Sequence, residues 1–374
     1  GSLAELAARG DDTALPGPAL DGGALAAIVY TSGTTGRSKG AMLTRANLAS
    51  NATTLAAAWR FTRQDILLHA LPLFHVHGLC AAINTVLASG SSLLLLDGFD
   101  AAQVLQHLPR VNVFMGVPTH YTRLLQLPGL DRASGAHMRL FVSGSAPLLA
   151  ETHREFEQRT GHRILERFGM TETLMNTANP YEGPRLPGTV GPPLPGIEVR
   201  IVEPTSDRAT HVPEAIGEIE IRGPNVFAGY WRDPDKTQHA FSAEGWFRSG
   251  DLGRFDRAGY LQIVGRAKDL VISGGYNVYP KEVEAELDAL PGVLESAVIG
   301  VPHPDFGEGV TALIVPRPGS APSEAEIIHA IQTRIARYKV PKRVLIVAEL
   351  PRNTMGKVQK SVLREQYASL YRAT

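Results

Sequence analysis

Cysteine is almost absent from this sequence. Its 374 residues contain one, Cys80, in an apolar run. That excludes an internal disulfide framework and suits a reducing compartment such as the cytoplasm. Neither sign of charge is in excess: 37 Lys and Arg balance 37 Asp and Glu. The balance gives no electrostatic case for a nucleic-acid partner or an acidic membrane surface. No apolar run is long enough to span a bilayer. Residues 3–9 read as a helical fragment and not a signal peptide, since they lack a basic start and a long apolar centre. Internal repeats and low-complexity tracts are also missing. The length suffices for two or three domains with a sizeable core.

What is present is concentrated first in Tyr30-Thr31-Ser32-Gly33-Thr34-Thr35-Gly36-Arg37-Ser38-Lys39-Gly40, after the short apolar strand Ala26-Ala27-Ile28-Val29. Glycines let backbone N–H groups converge into a nest for an anion, hydroxyls add donors, and Lys39 adds a full charge. A polyphosphate is the guest this chemistry fits. The P-loop pattern fails, because Gly36 is followed by Arg37 and Lys39 by Gly40.

Helical and apolar-strand segments then alternate. Strands are expected at 66–70, 91–96, 113–116, 140–143 and 164–166, with helices at 44–59, 101–108, 119–127 and 149–160. Thr44 is the expected cap of the first helix. This alternation predicts a layered α/β architecture with a parallel-rich sheet. From Gly188 the texture becomes short alternating strands with Gly and Pro, which predicts a small antiparallel sheet or barrel. A third stretch, with helices at 280–290 and 324–338 and strands at 296–301, 310–315 and 343–347, predicts a smaller α+β C-terminal domain. The expected division is 1–187 and 188–266 within a large domain, then 267–374 as a mobile C-terminal domain hinged at Lys268.

Several segments carry chemistry, each with a plainer alternative. Phe168-Gly169-Met170-Thr171-Glu172-Thr173 follows a strand, where open α/β sheets bind ligands. Glu172 suits Mg²⁺ and Thr171 a phosphate, or the pair caps a helix start. Ser143-Gly144-Ser145-Ala146-Pro147 offers small residues that let a flat base or an acyl chain approach. Asp251, in Ser249-Gly250-Asp251, suits both hydroxyls of a ribose or caps a turn. Arg266-Ala267-Lys268-Asp269 reads as a hinge, and Gly274-Gly275 as the prelude to a strand pair. Lys357 follows Gly356 in a turn-like segment, where a lysine is ordinarily just solvated.

Taken in order and spacing, these segments resemble the adenylate-forming superfamily: acyl-CoA synthetases, luciferases and peptide-synthetase adenylation domains. The resemblance covers about residues 21–371. It implies an acid–thiol ligase working in two half-reactions. A carboxylate attacks the α-phosphate of Mg-ATP, then CoA displaces AMP after the small domain rotates. It further implies that Thr31, Ser32, Gly33, Thr34, Thr35 and Lys39 hold the phosphates, and that Thr171 and Glu172 meet phosphate and Mg²⁺. Asp251 would take the ribose hydroxyls and Arg266 would support ribose or phosphate, with Ser145, Ala146, Pro147, Glu166, Arg167, Phe168, Gly169 and Met170 around the nucleotide. Lys357 matches the catalytic lysine, Lys268 the hinge, and Gly274, Gly275 and Tyr276 the CoA tunnel. Lys357 is also implied as a target for a protein acetyltransferase.

Two arginines bear on which acid is activated. Arg123, one helical turn after Thr119, and Arg167, just before Phe168, are expected to face the acyl pocket. A buried arginine needs a partner: a second substrate carboxylate or a protein acid such as Glu166. The segment Glu166 to Tyr181 resembles malonyl-CoA synthetases, which implies malonate, with methylmalonate second. His75 and Ser145 are expected at the same carboxylate, while His77 shapes the site. Another acid of the same superfamily, or a chain that binds ATP or AMP without turnover, remain the alternatives. Whole members carry a long N-terminal subdomain before the phosphate loop, and the resemblance implies that this chain lacks it.

Overall fold

The computed structural model describes residues 21–31, 38–203, 208–210, 212–353 and 356–371. The first elements among the described residues form an antiparallel hairpin, β1 (Leu25–Thr31) and β2 (Lys39–Thr44), which brackets the hydroxyl-rich stretch. Thr44 caps α1 (Arg45–Ala58) as expected. Its Oγ1 accepts from the Asn47 N–H at 3.1 Å, and its own N–H donates to Asn47 Oδ1 at 2.9 Å. The reciprocal pair satisfies donors that a helix start otherwise leaves open.

Helices and parallel strands then alternate as the apolar runs predict: β3 (Ile66–His69), α2 (Asn84–Ser89), β4 (Ser92–Leu95), α3 (Ala101–His107), β5 (Val113–Gly116), α4 (Pro118–Leu125), β6 (Leu140–Ser143), α5 (Ala150–Thr160) and β7 (Leu165–Met170). The sheet runs β4-β3-β5-β6-β7, all parallel, and β8 (Leu174–Ala178) joins it antiparallel to β7. Successive residues feed opposite faces. Leu67, Met115 and Val142 enter one core with Trp59 and Phe168. Leu68, Phe114 and Phe141 enter the other with Tyr121 and Phe156. Phe141→Ala would open a cavity costing about 3–5 kcal/mol.

The first core also takes Ile201, Ile219 and Leu261 from a second sheet. That sheet is antiparallel: β9 (Glu198–Val202), β10 (Ala209–Thr210), β11 (Gly217–Arg222), β12 (Phe247–Phe255) and β13 (Leu261–Arg266), with α6 (Pro234–His239) between β11 and β12. Sharing one core makes the two sheets a single layered body. A smaller α+β unit follows: β14 (Val271–Ser273), β15 (Tyr276–Val278), α7 (Pro280–Asp288), β16 (Val293–His303), β17 (Gly307–Pro316), α8 (Glu324–Ile331), β18 (Arg343–Ile346) and α9 (Lys360–Gln366). It has its own core of Val283, Leu287, Val298, Ala312, Ile327 and Val344. No helix among the described residues is long and apolar enough to cross a membrane.

Three local expectations are corrected. Thr171 and Glu172 start no helix; they form the tight turn of the β7–β8 hairpin. Gly274-Gly275 do not precede a strand pair but make its turn, at φ +58° and +81°, a backbone that glycine adopts without strain. The helix expected over 324–338 ends at Ile331, and the chain reaches a 3₁₀ turn at Arg337–Lys339.

Candidate active site

The carboxyl edge of the parallel sheet gathers polar side chains. His69 ends β3, His120 sits on the first turn of α4 just after β5, Ser143 ends β6, and Arg167 lies in β7. Registers His69↔Met115, Gly116↔Ser143 and Ser143↔Glu166 set these strand ends side by side. Arg167 is only 3% exposed, yet its Nε and Nη2 have no hydrogen-bond partner. Burial pulls its pKa down to about 9, because desolvation disfavours the charged form. A buried cation with open donors calls for an anion. Both nitrogens of His69, His77 Nε2, His120 Nδ1 and Ser143 Oγ are likewise buried without partners.

His77 Nδ1 lies 3.0 Å from Ser145 Oγ, and the His77 N–H donates to His75 Nδ1 at 3.1 Å. Ser145 holds φ +73°, a left-handed strain of about 1–3 kcal/mol that aims its hydroxyl at His77. Burial, then Lys357 and Arg167, lower His75 to about 4; burial, then Arg123, lower His120 to about 3. These imidazoles are therefore neutral near pH 7. Among the described residues, Arg167 is thus lined by polar side chains that carry no charge near pH 7.

The other expected acid-pocket residues fall differently. Arg123 does not share the burial of Arg167: it is exposed on α4, one turn beyond Thr119, with no ion pair among the described residues. Glu166 does not partner Arg167. Its carboxylate lies 3.3 Å from His153 Nδ1 and accepts from the Gly188 N–H at 3.3 Å. Strand alternation turns the two neighbours to opposite faces.

Of the residues expected to bind phosphate, Thr31 and Lys39 face each other across the first hairpin. Ser32, Gly33, Thr34 and Thr35 lie outside the described residues. Lys39 Nζ stands 4.9 Å over the Tyr230 ring, and the Tyr230 hydroxyl donates to Glu172 Oε1 at 2.9 Å. Glu172 is 8% exposed and Thr171 9%. Their turn is held from below: Asn225 Nδ2 donates to the Thr173 carbonyl, Asn51 Nδ2 to that of Met175, and the Phe227 N–H to that of Glu172. Phe168 is buried, Gly169, Met170 and Ala146 are half-buried, and Pro147 is exposed. Asp251 on β12 pairs across the ladder with Arg266 on β13, Nε to Oδ1 2.9 Å. Burial raises the Asp251 pKa, and Arg266 and Lys357 oppose that rise.

Lys357 comes from the smaller unit. Burial lowers its pKa, then Arg266; Asp251 pulls the other way, Arg167 lowers it and Glu172 raises it. The site's charges thus converge on this ammonium. Its neighbour Gly356, at φ +72°, packs against α4, where an added Cβ would lie 3.1 Å from Thr119 Oγ1. Arg317 and Glu151 pair across the two units at 2.9 Å. The structure does not bring Gly274, Gly275 and Tyr276 to this point: their turn is exposed, and Tyr276 stacks on Tyr338 at 4.8 Å. Lys268 is exposed in the 3₁₀ turn Ala267–Asp269, whose Asp269 pairs with Arg364 at 2.8 Å.

No cluster of three or more metal-ligating side chains occurs among the described residues. Mg²⁺ does not need one, since it is commonly held by one or two carboxylates and substrate phosphates. Glu172, with one oxygen bonded to Tyr230, fits that requirement. Tyr230, His69, His120 and Asn225 were not signalled by the sequence: strand order brings the two histidines to the sheet edge, and Tyr230 and Asn225 reach the Thr171-Glu172 turn from a distant stretch of chain.

A family model for AMP-binding enzymes matches residues 2–231, and one for the AMP-binding enzyme C-terminal domain matches residues 282–357. The chain belongs to the AMP-binding enzyme family. Among relatives of this AMP-binding enzyme, the mitochondrial malonate–CoA ligase of Mus musculus is 40% identical over 91% of the chain. The chain spans 64% of that ligase's length. The sulfoacetate–CoA ligase of Cupriavidus necator is 39% identical over 96% of the chain and 70% of its own length. MatB from Rhodopseudomonas palustris, solved with ATP bound, is 56% identical over 100% of the chain and 74% of its own, with a TM-score of 0.96; apo MatB gives 0.83.

Proposed function

We propose that this chain carries the catalytic units of an AMP-forming malonate–CoA ligase, with methylmalonate as a second acid. The observation that carries the reading is the buried, partnerless guanidinium of Arg167. Malonate's second carboxylate is the bidentate acceptor such a fork lacks. His75 and Ser145 add polar contacts, and Arg123 stands at the mouth. The reactive carboxylate then points toward Lys357.

In this reading Thr31, Ser32, Gly33, Thr34, Thr35, Lys39 and Thr171 bind the β- and γ-phosphates of ATP. Glu172 would hold Mg²⁺, which neutralises phosphate charge. Asp251 accepts the ribose hydroxyls and Arg266 steadies it. Phe168, Gly169, Met170 and Ser145 to Pro147 flank the base, and Glu166 contributes backbone only. A malonate oxygen forms the bond to the α-phosphorus and pyrophosphate leaves. The Lys357 ammonium offsets the charge where two anions meet. The higher TM-score to ATP-bound than to apo MatB supports an adenylation arrangement of the two units.

For the second half-reaction the unit at 267–374 turns about Lys268 against the large domain, whose parts are 1–187 and 188–266. The Gly274-Gly275-Tyr276 turn then lines the CoA path, and the thiol displaces AMP. The site is cytoplasmic in this reading. A protein acetyltransferase acting on Lys357 would remove its charge and silence adenylation; acetylated protein with full activity would refute that.

The test is acid-dependent ATP–pyrophosphate exchange with malonate, methylmalonate, sulfoacetate, acetate and benzoate. Strong exchange with the first two and little with acetate or benzoate is expected. A sulfonate also fits the Arg167 fork, so exchange favouring sulfoacetate would transfer the reading to that acid. ATP binding without exchange for any acid would overturn it.

A further inference from the structure

The hairpin that carries Lys357 is closed on itself. Arg352 and Val358 form an antiparallel bridge. The Asn353 N–H donates to the Lys357 carbonyl at 3.0 Å, and the Gly356 N–H to the Asn353 carbonyl at 2.9 Å. The Lys357 N–H donates to Asn353 Oδ1 at 3.0 Å. These bonds tie the two arms of the hairpin to each other but do not set their place on the domain.

Its place is set by two acids. Arg352 Nη1 donates to the Gly356 carbonyl at 2.6 Å, while Nη2 is paired with Glu295 of β16. One guanidinium thus spans from a sheet strand to the residue before Lys357. At the other foot Lys360 Nζ lies 2.5 Å from Glu284 Oε1 of α7. Glu284 is 4% exposed, and the same oxygen accepts from the Val298 N–H at 2.9 Å. Lys281 stands 3.5 Å from its second oxygen. Among the described residues, neither acid is hydrogen-bonded or ion-paired to the candidate site; Glu295 acts from β16 and Glu284 from α7 of the smaller unit.

We propose that Glu295, through Arg352, is a positioning residue that sets where the Lys357 ammonium stands during adenylation, with Glu284 and Lys360 anchoring the far foot. This rests on Lys357 meeting the attacking carboxylate and α-phosphate. A lysine on a flexible stem contributes only if its backbone is held to well under an ångström, and misplacement on that scale costs up to about a hundredfold in rate. The prediction is specific to one half-reaction, since CoA transfer proceeds after Lys357 has left.

The test is Glu295→Gln in the full chain, beside Lys357→Ala and the double variant. Expected is a fall of about tenfold in kcat for malonate-dependent exchange, within that hundredfold range. KM for ATP and malonate, and CoA consumption of supplied malonyl-adenylate, should change by less than about twofold, and the double variant should lose no more exchange than Lys357→Ala alone. An equal loss in both half-reactions, or a further loss on the Lys357→Ala background, would overturn the proposal. So would unchanged exchange in Glu295→Gln while Lys357→Ala abolishes it. If Lys357→Ala itself retains exchange, the reading of Lys357 fails first. Arg352→Lys keeps a charge for Glu295 but loses the arm to Gly356; wild-type exchange from it would also overturn the proposal.

Discussion

The Tyr230 phenol donates to Glu172 Oε1 at 2.9 Å, and the same ring lies beneath the Lys39 ammonium. One residue outside both motifs thereby fixes their separation. Tyr230→Phe removes a hydrogen bond to a charged group, worth about 1.5–3 kcal/mol, and keeps the ring under Lys39. Exchange should fall between about tenfold and a hundredfold with malonate KM unchanged. Titrating Mg²⁺ in the assay checks the cause, because an unchanged Mg²⁺ requirement counts against a role through Glu172.

Lys357→Ala should separate the half-reactions. A fixed ammonium about 4 Å from developing charge contributes up to about 4 kcal/mol at an effective dielectric near 20, roughly a thousandfold. Exchange should drop on that scale, and CoA transfer from supplied adenylate far less. Equal losses in stopped-time assays of both steps would remove Lys357 from catalysis.

Arg167→Met should move activity and stability in opposite directions. Losing the fork for the second carboxylate should lower kcat/KM for malonate by about a hundredfold or more, leaving ATP affinity nearly intact. Replacing a partnerless buried cation by an apolar side chain should also stabilise the acid-free protein, by about 1–4 kcal/mol. Urea midpoints without malonate test this, and a destabilised variant would mean that the cation already has a partner.

The neutral histidines make stability depend on pH. His75 and His120 fall from 6.5 to about 4 and about 3, so between those values the unfolded chain binds more protons. Their contribution is complete above pH 6.5 and lost as pH falls toward 4. At pH 5 each has lost about 2 kcal/mol. Asp288 opposes this: burial raises it from 3.8 to about 7, so its stabilisation declines as pH rises through that window. Unfolding at pH 5 should therefore be easier than at pH 7, and Asp288→Asn should steepen the difference by about 2 kcal/mol. A flat profile in both proteins would contradict the assignment.

The alternation of strands and helices was legible because buried parallel strands such as Val113–Gly116 read as unbroken apolar runs. The Thr44 cap was legible because its partner Asn47 is three residues away. The Thr171-Glu172 turn was not. It depends on Leu174 at φ +52° and on Asn51 and Asn225, whose amides reach it from distant elements. Arg123 and Arg167 looked alike in sequence, but helix phase leaves the first exposed and strand pairing buries the second. The histidine lining is spread over residues 69 to 120 and converges only through strand order.

Gly144 lies against the Arg167 guanidinium so closely that an added Cβ would stand 2.7 Å from Nη1. The atom displaced would be the end of a flexible side chain, not the backbone. A single methyl at position 144 can therefore evict the cation's head without replacing it, and the pocket would shorten while its nucleotide side stayed whole. If Arg167 receives the acid's second carboxylate, crowding that one arginine from position 144 would shift acid preference from dianionic toward small monoanionic acids.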